Sequence, residues 1–271
     1  MKKIISILCE GPHDVAFVSK IIKTQGFKQI DHFKLGQYPE PINGLLINES
    51  IKTKVEDLNI FEVRQALLPL STLGLDDIYI FIYSLGGDSR ALSRLNYLKK
   101  IMDFIPQEKG ELNPFPDIQL GVIYFFDADS IGINKRLNKI NQEINEIHRT
   151  FQFKKNGDIQ TINNVKFGCY IFSIQGEENG NLEDVILPLM KMENEEIFEK
   201  AEIYLDEHYD HSRCIGKFDR SKSLIGFCGQ LQKSGSSNVV CISQTDYITE
   251  KKLLEDNTCN EIITFINSFL R

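Results

Sequence analysis

The sequence predicts an α/β fold, a mostly parallel sheet covered by helices on both faces. Three observations carry this. Short unbroken apolar runs recur at residues 3–9, 78–84, 120–126 and 168–174, the signature of strands buried on both faces. Segments with helically spaced apolar residues fall between them, and such alternation implies right-handed crossovers and a parallel sheet. The 271 residues, 42% hydrophobic and 25% charged, have ordinary globular composition and enough length to bury a substantial core.

The elements follow in chain order. Residues 3–9 (KIISILC) form the first strand, and Glu10-Gly11-Pro12 ends it. Pro12 suits the first turn of a helix over 13–24, Asp14 favours its N-terminus, and Val15, Val18, Ile21 and Ile22 share one face. Residues 28–56 are mixed and read as an irregular insertion with room for a short strand. A helix is expected over 60–73. The second strand, 78–84 (IYIFIYS), ends at Gly86-Gly87 and precedes a helix over 90–104. After a Pro/Gly-rich loop at 106–117 comes the third strand, 120–126 (LGVIYFF), ended by Asp127-Ala128-Asp129. A helix over 135–148 leads to a fourth strand over 168–174. Helices are expected over 181–190, 193–209 and 260–270. Residues 212–238 read as a basic, loop-rich stretch and 239–243 as a short strand.

Net charge is −7, which excludes a broadly basic nucleic-acid binder. The acidity is local: residues 176–210 carry twelve Asp/Glu against Lys191 and Lys200, and the rest of the chain is faintly basic. Residues 213–233 hold five bases and one acid and are the best nucleic-acid surface on charge alone. Six cysteines form no CxxC and no zinc-finger spacing, so reduced thiols and a cytoplasmic location are expected. No apolar run is long enough to span a membrane, and the N-terminus lacks a signal-peptide cleavage site.

In parallel α/β sheets, ligands sit beyond the carboxyl ends of the strands. Glu10, Gly86-Gly87 and Asp127/Asp129 all fall there. Asp127 and Asp129 are i and i+2, so in extended backbone their carboxylates point the same way. With Glu10 nearby they make an oxygen cage suited to Mg²⁺ or Mn²⁺. Without a cation such a cluster is costly, since two like charges about 4 Å apart repel by roughly 4 kcal/mol at an effective dielectric near 20. The bland alternative is that the two aspartates cap the next helix, Glu10 is a solvated strand end and the glycines form a turn. The bases Arg90, Arg94, Lys99 and Lys100, and Lys135, Arg136 and Lys139, lie on helices after site strands and read most simply as solvated helix faces.

Three segments together resemble a known family. ILCEGPHDVAFVSKII resembles the first motif of TOPRIM domains, an apolar strand ending in Glu-Gly followed by Asp and a helix. IFIYSLGGDSRAL resembles the second and VIYFFDADSIG the third, the Asp-x-Asp motif. Within TOPRIM proteins the chain is most similar to the overcoming-lysogenisation-defect (OLD) type nucleases and their small stand-alone relatives. Those carry an acid on a later helix, as GNLEDVILPLM does with Glu183. The resemblance spans residues 3–190. It departs from the family in its long gap between Glu10 and Asp127 and in lacking the GxxxxGK[ST] motif of an ATPase in the same chain.

The resemblance implies a TOPRIM-like, Rossmann-like domain over 1–175 with 28–75 as an insertion. A helical and loop-rich C-terminal extension, 176–271, packs on it. It implies divalent-metal-dependent phosphodiester hydrolysis of nucleic acid, DNA before RNA, as in a phage-defence effector. Glu10 would handle protons or ligate metal, and Asp127, Asp129 and Glu183, with Asp184 beside it, would hold Mg²⁺ or Mn²⁺. Lys222 would stabilise phosphate charge. Gly86, Gly87, Arg90, Arg213, Lys217 and Arg220 would contact substrate. A partner ATPase and a homodimer are the implied assemblies, with no membrane. The competing reading is a non-catalytic module that binds nucleic acid, nucleotide or a protein. A third, an RNA-maturation nuclease, is opposed by the long C-terminal extension.

Overall fold

The computed structural model describes residues 1–52, 67–106, 111–213, 216 and 219–271. The expected α/β fold is present. Strands β1 (Lys2–Cys9), β2 (Lys28–Gln29), β3 (Ser71–Leu75), β4 (Ile78–Ser84), β5 (Ile118–Asp127), β6 (Ile159–Ile162) and β7 (Val165–Phe172) form one sheet, ordered β2-β3-β4-β1-β5-β7-β6. The inner four, β4-β1-β5-β7, are mutually parallel, and antiparallel strands close both edges. The parallel strands are the four apolar runs, and their central residues are buried because helices cover both faces.

Helix α1 (Pro12–Lys23) leaves β1 for one face. It shares a core there with helices of the C-terminal segment: α5 (Leu182–Lys191), α6 (Glu195–His208), α7 (Asp219–Gln230), α8 (Asn238–Gln244), α9 (Glu250–Glu255) and α10 (Asn257–Leu270). On the other face α2 (Ile42–Lys52), α3 (Ala91–Met102) and α4 (Ile133–Asn145) bury Leu46, Tyr97, Leu98, Ile140 and Ile144 against the sheet. The helices after β1 and those after β4 and β5 therefore part at the carboxyl end of β1, the place where ligands bind in sheets of this kind. Among the described residues no helix is long and apolar enough to cross a membrane.

Several expectations are corrected. Part of the 28–75 insertion is in the sheet: β2 is a short strand within 28–56, and β3, at residues expected to be helical, joins it in the antiparallel edge. Residues 60–66 of the expected helix over 60–73 lie outside the described residues, residues 67–70 are not helical, and residues 71–73 belong to β3. The hairpin of β6 with β7 was not foreseen. Residues 239–243 are helical, within α8. A short apolar run has no readable period, and the sheet edges are already taken by β2 and β6. The stretch expected to be loop contains α7. Within it, Gly229 marks a close approach of α7 to α8: a Cβ there would lie 2.4 Å from Cys241 Sγ. Cys9, Cys169, Cys228, Cys241 and Cys259 are buried free thiols.

Candidate metal and acid-base centre

The register of the sheet builds the site. Cys9 of β1 pairs with Ser84 of β4 and Phe125 of β5, so Glu10, the Gly86-Gly87 loop and Asp127 emerge side by side. Glu10 Oε1 accepts the backbone N–H of Asp127 at 3.2 Å. Its Oε2 faces Gly87, where a Cβ would sit 3.0 Å away. Gly86 has φ +70° and packs on the Arg90 side chain. The glycine loop is held from behind by buried Arg94, whose Nη1 donates to the carbonyls of Gly86 at 2.5 Å and Gly87 at 2.7 Å. Arg94 also pairs with Glu143 at 2.8 Å and lies over the Phe126 ring. It is structural, not a solvated face.

Asp127 and Asp129 do not point the same way. Asp129 has φ +50°, so the extended alternation stops at Asp127. Asp127 Oδ1 accepts the N–H of Leu182 at the start of α5, at 2.8 Å. Asp129 pairs its backbone in both directions with Gly180, at 2.7 and 3.1 Å, which draws the start of α5 to β5. Glu183, nearly fully buried, comes in with that helix, and His13 Nδ1 lies 3.4 Å from its Oε1. Asp184 does not join the set as a ligand: its side chain accepts the Asn181 N–H at 2.9 Å while Asn181 accepts from Asp184 N–H, a capping box.

Two residues given no role at the site by the sequence belong to the centre. Asp14 is 5% exposed. Its Oδ2 accepts the Gly11 N–H at 2.6 Å, and its Oδ1 is buried without a partner. Arg136 is 3% exposed. Its Nη2 lies 2.6 Å from Asp129 Oδ2 and 3.7 Å from Glu10 Oε1, its Nη1 2.7 Å from Asp88 Oδ1, and its Nε 2.7 Å from the Asp127 carbonyl. Lys139 also pairs with Asp88. Beside these groups, between α3 and α4, lies a cavity of about 430 Å³ lined by Asp88, Arg94, Phe126, Arg136, Lys139 and Glu143.

The electrostatics follow from burial and crowding. Burial, reinforced by the Glu10 and Glu183 charges and opposed by the Gly11 N–H, pushes the Asp14 carboxyl up to about 7. Burial raises Asp127 well above the usual carboxylate range, and Asp14, Glu10, Glu183 and Asp129 add to this. Glu10 is also raised by burial, against the pull of Arg136. The Lys139 hydrogen bond holds Asp88 low.

The donor chemistry fits a hard divalent cation, since Glu10, Asp14, Asp127 and Glu183 are all carboxylates and one buried Asp14 oxygen is unpartnered. The arrangement is not a finished coordination shell: among the described residues no three His, Cys, Asp or Glu are set to hold a metal ion. Of the residues expected to bind substrate, Gly86, Gly87 and Arg90 are at the centre. Lys222 is exposed on α7, and no hydrogen bond or ion pair among the described residues joins it to the acids. Arg213 pairs with Asp210 at 3.3 Å and Arg220 with Asp206, so acids at the end of α6 and just beyond it partly neutralise the basic stretch. Lys217 lies outside the described residues.

Fold and site together define an α/β protein with a mostly parallel, Rossmann-like sheet and a carboxylate cluster at the carboxyl ends of its central strands. Residues 5–271 match the family described as protein of unknown function (DUF3226), and the chain belongs to that family. Its fold is similar to the crystal structure of a hypothetical protein from Pyrococcus horikoshii OT3, with a TM-score of 0.51 over 99% of this chain and 95% of the other at 15% identity. Among curated proteins none matches the chain.

Proposed function

We propose that the protein is a divalent-metal-dependent phosphodiesterase acting on nucleic acid, with Mg²⁺ or Mn²⁺ as cofactor. The observation that carries this reading is the mutually repelling set of buried Asp14 and Glu183 with half-buried Glu10 and Asp127, and its unpartnered Asp14 oxygen. Asp14, Asp127 and Glu183 would hold the ion, and His13 would orient Glu183. When bound, such an ion acidifies water and offsets charge on a phosphorane-like transition state. Glu10 is the proton-handling group. Its Oε1 is fixed by the Asp127 N–H, which leaves Oε2 on the Gly87 side to take a proton from water or return one to the leaving oxygen. Lys139 and Arg136 line the adjoining cavity, both paired with Asp88, and a phosphate backbone there would compete with that acid for Lys139. The partner ATPase and the phage-defence role implied by the TOPRIM resemblance belong to this proposal and rest on that resemblance.

A cleavage assay with supercoiled plasmid and RNA in Mn²⁺ tests the reading, with Glu10→Gln as the control. Cleavage is expected from the wild type, and Glu10→Gln, which keeps shape but loses the base, should lose at least about 100-fold. Equal cleavage by both proteins would remove Glu10 from the chemistry. The competing reading, a binding module, draws on the pairing of Asp129 with Arg136; it requires nucleic-acid binding that Glu10→Gln leaves unchanged and no cleavage under any divalent ion.

A further inference from the structure

The acids at the centre fall into two groups. Asp129 and Asp88 both have cationic partners: Arg136 reaches each of them at 2.6–2.7 Å, and Lys139 adds a second contact to Asp88. Asp14, Asp127 and Glu183 have no Lys or Arg partner among the described residues; Asp127 Oδ1 has a backbone N–H, Glu183 has His13, and Asp14 Oδ1 has nothing. Glu10 lies at the boundary, 3.7 Å from the guanidinium. Arg136 is anchored by its Nε to the Asp127 carbonyl and is 3% exposed, so it is fixed within the site and cannot swing away as a surface side chain does.

We infer that Arg136 is a built-in counter-ion that takes Asp129 and Asp88 out of the cation-holding set, so that the divalent ion is held at the Asp14, Asp127 and Glu183 end. This rests on the reading of the centre as a cation site. The physical reason is competition. A guanidinium that makes charge-assisted bonds to a carboxylate occupies its lone pairs and repels a second cation placed beside it. The three carboxylates at the other end have no such occupant, and their mutual repulsion falls only when a cation or protons arrive. Arg136 is then a positioning residue: it holds Asp129 and the Asp127 backbone and sets where the ion sits, without touching it.

The test is Mn²⁺ binding to the metal-free full chain, read from free Mn²⁺ by electron paramagnetic resonance. Asp129→Asn keeps the Asp88 and Asp127 carbonyl contacts of Arg136, and its Kd for Mn²⁺ should stay within about threefold of wild type, under 1 kcal/mol. Asp14→Asn should weaken binding at least about tenfold. In an Arg136→Gln background Asp129 becomes free to ligate, and Asp129→Asn should then weaken Mn²⁺ at least about tenfold, which a merely structural Arg136 would not produce. If Arg136→Gln does not fold, the first two variants decide alone. Wild type binding Mn²⁺ tightly but losing it with Asp129→Asn, or keeping it with Asp14→Asn, overturns the inference and leaves the cation site standing. Wild type binding no Mn²⁺ overturns both.

Discussion

Asp14 is under electrostatic tension at the residue scale, because one of its oxygens is buried with no partner beside Glu10 and Glu183. Its carboxyl is raised from an ordinary value of 3.8 to about 7. Between those values the folded state binds more proton than the unfolded chain, so stability falls as pH rises through the window. Metal-free protein should therefore melt higher at pH 5 than at pH 8, with Asp14 accounting for up to about 3 kcal/mol of the difference. Asp127, shifted in the same direction, adds to it. Asp14→Asn should be more stable at pH 8 and show a clearly smaller difference in thermal melts; an unchanged difference would place the titration elsewhere. A second residue-scale test is Gly87→Ala. Its Cβ would press on Glu10 Oε2 at 3.0 Å, and the expected cost is about 1 kcal/mol in denaturant unfolding with loss of Glu10-dependent activity. Glu10, Asp127 and the glycines were legible from their places at strand ends. The site roles of Asp14 and Arg136 were not: although Asp14 falls in the first motif, a first-turn acid and a helix base have ordinary local explanations, and only the tertiary arrangement around Asp127 and Asp129 brings them to the centre.

At the scale of elements, the long apolar strands were readable because burial on both faces leaves an unbroken run, and the helices between them because one face is apolar. The misread elements are those whose sequence signal is local while their cause is tertiary. Residues 71–75 form a strand only because β4 offers its free side and β2 adds on beyond. Helix α7 looks like loop because Gly226 and Gly229 lie inside it, yet Leu224, Ile225 and Cys228 are buried at helical spacing. That difference is measurable. Gly→Ala inside a helix ordinarily stabilises by about 1 kcal/mol. Gly229→Ala should do the reverse, since its Cβ would meet Cys241 Sγ at 2.4 Å; a loss of about 1–3 kcal/mol in denaturant unfolding is expected. A gain would mean that α7 and α8 do not pack as described.

At the scale of the whole molecule, the C-terminal segment is part of the domain's core: α5 to α10 bury Ile186, Ile225, Ile242 and Ile262 with α1 and the sheet. It also carries the acidity, and Asp206 and Asp210 take up Arg220 and Arg213. Both pairs are exposed, so Arg220→Ala should change stability by less than about 1 kcal/mol. If this face bound the phosphate backbone, Arg220→Ala would weaken nucleic-acid binding and flatten its salt dependence. If the cavity beside Arg136 and Lys139 is the entry, Lys139→Ala does so and Arg220→Ala does not, which is the outcome the geometry favours.

The central claim is that the carboxylates at the ends of β1 and β5 form a divalent-cation site. Thermal melting of the metal-free chain with and without Mn²⁺ tests it most directly, because an ion bound only to the folded state raises the melting temperature. At about 100 times its Kd the ion should add about 2.7 kcal/mol, a rise of about 5–10 °C for a chain of this size. Asp127→Asn should melt higher than wild type without metal and respond little to Mn²⁺. No rise in the wild type, or an equal rise in Asp127→Asn, would contradict the claim.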